Sequence, residues 1–436
     1  MLMRLQQVCL LWDHKEGSNL STTACRASVC LSAEITALID QLGGRFSSCR
    51  SIKCDSGYRK FTNFNSRLIN IFDLFFSHKE PFQMNGIFTV ISALLLLVNA
   101  SLVQASSPSE HDVLASLASI GIDAHLEKIV ETAGGLDGAI TVLCQKKDDA
   151  SLSEARDAWK DAYMAWRRAA PYLIEPADKL ERFIGQPAYD IVLKGVVESE
   201  EFAGIRKGAG VRGYAGVEYL LFVPENAVQA TADFRCQHLT EISTEIVTRT
   251  TSAKNRWAEE FREGFLSAGD GMPYMVPGDA LSLIFAETLN AMETVLRDRL
   301  LFPSNLFKGE AKPELLEAWH SKSTLDALQA AVDGFSSVLI GGGGNSLVRL
   351  IATKDGLTHK KDPALAKAIR KQLTKIQKSI NKLKKKDVML YSRLQKKTKT
   401  LKRVYKDIRK LQDQLAEAVL VLELDIRQGL EADLTR

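Results

Sequence analysis

The sequence predicts an all-α protein of two packed helical-bundle domains with long C-terminal helices. Three observations carry that reading. Strand signals are scarce across the 436 residues, and apolar residues recur at helical spacing instead. Ile369, Leu373, Ile376, Ile380 and Leu383 follow each other at 4-3-4-3 steps, and a heptad period resumes from Leu401 to Leu422. A Gly- and Pro-rich break from Gly269 to Gly278 separates one set of helices from the next, which places domains at 106–270 and 279–436.

The chain before the helices reads differently. The apolar run Ile87–Ala100 follows Met84 and ends in Val103-x-Ala105, the pattern of an export signal over 84–105. It falls short of the about 20 apolar residues of a membrane span. Residues 1–83 show no sustained amphipathic period and are expected to be an upstream, non-native extension, because export signals stand at an N-terminus. Their Cys25-x4-Cys30 and Cys49-x4-Cys54 pairs lie at the edge of zinc-knuckle spacing without the strands or turns such a site uses. Cleavage after Ala105 would leave an envelope-space protein that starts at Ser106 and has no lipid-attachment cysteine. Two cysteines remain, Cys144 and Cys236. Export makes a bridge between them possible, and a free buried cysteine is as common a fate.

In chain order, Leu126, Ile129, Val130 and Ala133 open a first helix that Gly134-Gly135 is expected to stop, and Ala139, Val142 and Leu143 suggest a short second one. Leu152 to Ala170 is a strong helix with Ala155, Trp159, Ala162 and Trp166 on one stripe. A loop-rich stretch containing Pro176, Gly185 and Pro187 leads to an apolar helix over 214–222. Thr231 to Ala268 reads as one long helix. Beyond the break, Asp279 is expected to cap a helix that Pro303 stops, and 323–340 forms another, ended by Gly341-Gly-Gly-Gly344. No Gly-Lys-Ser/Thr follows those glycines, so they make a helix joint and not a phosphate loop. The last two helices are expected to run antiparallel, hinged near 386–390.

Charge is divided unevenly. Lys360–Lys410 holds twenty Lys/Arg against three Asp, a net +17, within a chain of net +4. Residues 1–83 carry +3, so the rest stands at −16. The basic segment reads first as a solvated helix face and next as a contact for an anionic membrane surface. Nucleic acid is excluded as a partner: only Tyr391 and Tyr405 interleave with the cations, too few for base stacking.

Glu218 is the main candidate for chemistry. Every neighbour in Gly213-Tyr-Ala-Gly-Val-Glu218-Tyr-Leu-Leu-Phe222 is apolar or small, and a carboxylate there is costly unless paired, protonated or bound. An ion pair with Arg212 or Arg206 is the structural alternative. Gly213 and Gly216 admit a close backbone approach. Trp159, Tyr163 and Trp166 form an aromatic stripe read as bundle core, and Arg156, Arg167 and Arg168 beside it face either solvent or a ligand. His238-x-x-Glu241 has ligand spacing but only two members, and the other histidines are isolated.

The Glu218 segment resembles the Gly-x-His-x-x-Glu signature of the imelysin-like family, also classed as M75 peptidases, with Gly213 and Glu218 matched and Ala215 at the histidine position. The Leu152–Trp166 helix, Glu317-x-x-x-Ser321 with Gly334, and Leu422-Glu-x-Asp425 are similar to the family's other segments, so the resemblance covers roughly 110–432. It implies two helical bundles with a site between them, a Gram-negative envelope location and an association with iron uptake. The residues expected at that site are Glu218, Gly213, Tyr219, Trp166 and Ser321, with Glu218 as the metal contact for iron or another divalent ion. No catalytic residue is assigned, because a helical zinc peptidase needs two histidines one turn apart and a general base. The function this suggests is an exported binding component, partnered by a metal ion or an envelope transport protein. A metallopeptidase and a non-catalytic scaffold are the alternatives.

Overall fold

The computed structural model describes residues 107–186, 190–197, 209–232, 234–307, 311–312, 315–385 and 399–426. The upstream extension, the export signal, the Cys25–Cys54 thiols, Arg206 and the expected hinge lie outside the described residues. Those described are helical or connecting, apart from an isolated bridge between Gly271 and Tyr274. None of the described helices is long and apolar enough to cross a membrane.

Helix α1 (Glu110–Ser116) starts at Ser109, whose Oγ accepts the Asp112 N–H while the Asp112 carboxylate accepts the Ser109 N–H. Helix α2 (Ala124–Lys146) corrects the expectation of two short helices, because it runs unbroken through Gly134 and Gly135. Each glycine costs about 1 kcal/mol in a helix. The buried stripe of Leu126, Ile129, Ala133, Leu136, Ile140 and Leu143 keeps one register across them and outweighs that cost. The helix stops instead at Lys147, in the left-handed region at φ 55°.

Asp148 then accepts the Ser151 N–H at 2.8 Å and caps α3 (Asp149–Ala169). Helix α4 (Tyr214–Phe222) matches its expected bounds. Helix α5 (Arg235–Arg256) continues through a wider turn, Trp257–Phe261, into Arg262–Leu266, so the long helix expected over 231–268 spans 235–266. Cys144, near the end of α2, is disulfide-bonded to Cys236, at the start of α5. The bridge settles the choice that the sequence left open.

Helix α6 (Pro277–Thr294) starts two residues before Asp279, which is therefore not its cap. Asp279 sits inside the first turn, where its carboxylate accepts the Val276 N–H at 3.1 Å. Helix α7 (Thr324–Ile340) packs across α3 at Gly334, where an added Cβ would run into the Arg168 carbonyl. After the glycine joint come α8 (Leu347–Thr353), α9 (Pro363–Lys384) and α10 (Lys399–Val421). Gln372 on α9 donates to the Asp407 carbonyl of α10 at 2.8 Å, and Lys375 meets the Asp407 carboxylate at 2.7 Å. The described residues make one compact unit, and a single apolar core runs from Val113 to Leu424 through helices on both sides of the 271–278 break.

Candidate functional site

Gly213 leads into α4 with extended backbone, and its missing side chain lets the turn at Glu181–Gly185 press against it: a Cβ there would overlap the Ile184 carbonyl. Gly216 does the same toward the Val211 carbonyl. Both glycines thus serve the close approach read from the sequence. From α3, the Trp159 indole donates to the Tyr214 carbonyl at 2.9 Å. Trp159 stacks on Tyr163, whose ring meets Tyr214 edge-on, and Trp166 lies 5.9 Å from the Tyr214 ring. The stripe is bundle core, as expected. It also fixes the first turn of α4 and aims Glu218.

Glu218 is buried, and its Oε1 accepts the backbone N–H of Ser321 at 2.8 Å. No ion pair involves Glu218 among the described residues, and the Arg212 guanidinium lies 5.9 Å over the Phe183 ring. Burial pushes the Glu218 carboxyl up to about 7, with Glu317 adding to the rise and Ser321 and His320 opposing it. The segment carrying Ser321 is held in an unusual shape. Ala318 and Lys322 sit in the left-handed region at φ 52° and 60°. Thr324 Oγ1 donates to the Glu317 carbonyl at 2.6 Å and the Ser323 N–H to the Ala318 carbonyl at 3.0 Å, which pins the turn. His320 points its ring edge-on at Tyr219, 5.6 Å away.

A charged cluster adjoins this carboxylate. The Tyr163 hydroxyl donates to Glu317 Oε2 at 2.9 Å, and Arg299 Nη1 donates to the same oxygen. Arg167 Nε stands 3.5 Å from that oxygen, and Arg167 Nη1 stands 3.5 Å from Glu181 Oε2. Arg299 Nη2 reaches Glu181 Oε1 at 3.2 Å. Arg167, Arg299 and Glu317 are all buried. Burial opposes the Arg299 charge, yet the Glu317 carboxylate beside it holds its pKa above the usual value, while burial and Glu317 raise the Tyr163 hydroxyl.

The structure therefore brings together Gly213, Glu218, Tyr219, Trp166 and Ser321, from three separate stretches of chain. Sequence reasoning missed Arg299 and Glu181, named Glu317 only within a family-like segment and not as a site residue, and left Arg167 undecided between solvent and ligand. The rule that exposed Glu218, a charge in an apolar run, reaches Arg299 and Glu317 only in part, because Leu300-Leu301 and Leu315-Leu316 flank them on one side and Arg297-Asp298 and Glu314 stand close by. His238 is fully buried in α5, and Glu241 is engaged by Gln237 at 3.0 Å.

These residues do not fit a resident metal ion. Glu317 is taken up by two guanidiniums and a phenol, one Glu218 oxygen is taken up by a backbone N–H, and cations crowd the site. No group of three His, Cys, Asp or Glu among the described residues stands close enough to hold an ion.

The sequence profile of the Imelysin family, Peptidase M75, matches residues 122–421. The chain belongs to the imelysin family. Its fold is similar to an iron-regulated protein A precursor from Parabacteroides distasonis, with TM-score 0.63 and 15% identity over 73% of this chain and 97% of that one. An imelysin-like protein from Psychrobacter arcticum is similar at TM-score 0.54 and 15% identity, over 73% of this chain and 96% of its own. No curated protein sequence matches. In this imelysin the signature carries Ala215 in place of histidine, and the imidazole beside Glu218 comes from His320 on a different segment.

Proposed function

We propose that this imelysin is an exported binding component of the cell envelope, connected with iron as cargo, and that it has no peptidase activity. The observation that carries the reading is Glu218: a buried carboxylate held near neutrality, tied to a strained turn and without an ion pair among the described residues. Proteins rarely keep such a group for stability, since an apolar or paired residue would cost less. Export is supported by the signal pattern before Ser106 and by the Cys144–Cys236 bridge, which suits an oxidising compartment. The iron connection is supported by the relative named as iron-regulated. The missing motif histidine argues against the M75 metallopeptidase, because a helical zinc peptidase needs two histidines one turn apart.

Calorimetric titration of the purified chain with ferrous chloride and ferric citrate tests this. Binding that weakens at least tenfold in Glu218→Gln, with a cooperative melt retained, is the expected result. Equal binding by both proteins, or none, removes Glu218 from the function, and chelator-sensitive peptide hydrolysis would restore the peptidase.

A second reading rests on a separate observation. Helix α9 contains no acidic residue, and Lys367, Lys371, Lys378 and Lys382, with Lys385 at its C-cap, are all exposed. At 100° per residue these five fall within an arc of about 60°, along about 27 Å of helix. Such a stripe suits an anionic phospholipid surface, at about 1 kcal/mol per lysine near the membrane. Co-sedimentation with phosphatidylglycerol vesicles should show salt-sensitive binding that Lys378→Glu with Lys382→Glu abolishes. Binding unaltered by the double reversal would reduce the stripe to a solvated face.

A further inference from the structure

The polar atoms around the candidate site are unequally satisfied, and the imbalance has a sign. Arg167 Nε and Nη1, Arg299 Nε, Trp166 Nε1 and Tyr214 Oη are enclosed and make no hydrogen bond, and the two Arg167 atoms meet carboxylate oxygens only at ion-pair distance, 3.5 Å. Four of those five atoms can only donate. Enclosed donors without a hydrogen-bonded acceptor are rare in folded proteins, and a cluster of them suits an acceptor group better than a cation.

The group standing nearest to that role is Glu181. Its carboxylate spans both guanidiniums, 3.2 Å from Arg299 Nη2 and 3.5 Å from Arg167 Nη1. The Arg299 contact is a hydrogen bond and the Arg167 contact is longer than one, so Glu181 is seated on one guanidinium more closely than on the other. Glu181 is also placed to leave. It lies on the short turn Glu181–Gly185, and its side chain is 31% exposed against 2% for Arg167 and 7% for Arg299. Gly185 makes room for it, since a Cβ there would overlap the Glu181 carboxylate and approach Trp166 Cζ2 to 2.8 Å. Swinging Glu181 outward would uncover a concavity bounded by Arg167, Arg299, the Trp166 edge and Gly185. It would leave two buried positive charges facing the single negative charge of Glu317.

We propose that the Arg167–Arg299 pair is a carboxylate-binding subsite which the Glu181 side chain fills in this structure, and that the site takes a carboxylate ligand, not a bare cation. The proposal rests on the reading of Glu218 as part of a binding site, extends that site to the adjoining cluster and names the class of ligand. An entering carboxylate would replace Glu181 on the two guanidiniums and restore neutrality. It would also supply acceptors for the indole and the free guanidinium N–H groups. A metal could then reach the site as the core of an anionic chelate, which needs no protein ligand to the ion.

The test compares the full-length chain, Glu181→Ala, Glu181→Gln and the double variant Glu181→Ala with Arg167→Lys. Each is titrated calorimetrically with citrate, ferric citrate, ferrous chloride and zinc chloride, and melted with and without acetate. Citrate should bind the unaltered chain and bind Glu181→Ala at least tenfold tighter, with Glu181→Gln between them. Acetate should raise the melting temperature of Glu181→Ala by several degrees and leave the unaltered chain unchanged, because it fills the place of the lost carboxylate. Adding Arg167→Lys should cancel both gains. Tighter binding of ferric citrate than of citrate identifies the chelate as cargo, and equal binding identifies the carboxylate itself.

A cooperatively melting Glu181→Ala that ignores citrate and acetate overturns the proposal. If ferrous or zinc ion then binds and Glu218→Gln weakens it, the binding function stands and only the ligand class falls. If no probe binds any form, both fall.

Discussion

At Glu218 the folded chain keeps its carboxyl at about 7, against 4.5 for the same group in the open. The sign of the pH effect follows. Between those values the folded state holds a proton that the unfolded state has lost, so stability falls as pH rises through the interval and is level above it. Over the whole interval the loss is about 3 kcal/mol, at about 1.4 kcal/mol per unit. Glu218→Gln should remove this slope and raise stability at pH 8, while at pH 4 the two proteins should melt alike. Urea denaturation at both pH values measures it, and a variant less stable at pH 8 would mean that the charge is paired after all. Glu218 was legible in the sequence because no other charge interrupts its helix. Arg299, Glu317 and Glu181 were less so, because each stands among other charges, and only the fold shows that Glu317 and Glu181 converge on Arg299.

Among the elements, α2 shows a helix decided by what it packs against. Gly134 and Gly135 are exposed, and an added Cβ on either meets nothing within 4 Å. Gly134→Ala and Gly135→Ala should therefore each stabilise by about 0.4–1 kcal/mol, chiefly by restricting the unfolded chain. A fall in melting temperature would show that the glycines serve a local kink. The start of α5 is held covalently to the end of α2, since Cys144 and Cys236 close a loop across 92 positions. Loops near that size contribute about 4–5 kcal/mol in the chain-entropy description. Cys144→Ser should lower stability by about 2–5 kcal/mol, and added dithiothreitol should produce a similar drop in the unaltered chain but none in the variant. Spacing could not choose this bridge, because 92 positions of sequence say nothing about distance. Helices α3, α4 and α7 were legible almost to the residue, each with a continuous apolar stripe and a clear stop.

For the molecule as a whole, Gly334 is the informative position. Helices α3 and α7, drawn from the two halves of the sequence, meet where Gly334 lies against the Arg168 backbone, and the core is continuous around them. Gly334→Ala should destabilise by about 1–3 kcal/mol through overpacking, since a backbone carbonyl yields less than a side chain. Scanning calorimetry should show a single transition for the unaltered chain and a single lower one for the variant. Two separated transitions, with only one displaced, would mean that the halves melt independently. What the sequence by itself determined is the all-α class, the position of most helices and the imelysin resemblance, because periodicity, caps and stops act within a few turns of chain. The continuity of α2, the Cys144–Cys236 pairing, the path of the core across the 271–278 break and the Arg167–Arg299–Glu317 cluster were decided only by the tertiary structure. Each depends on burial against residues far away in the chain, and in the interior burial sets both the cost of a glycine and the value of a charge.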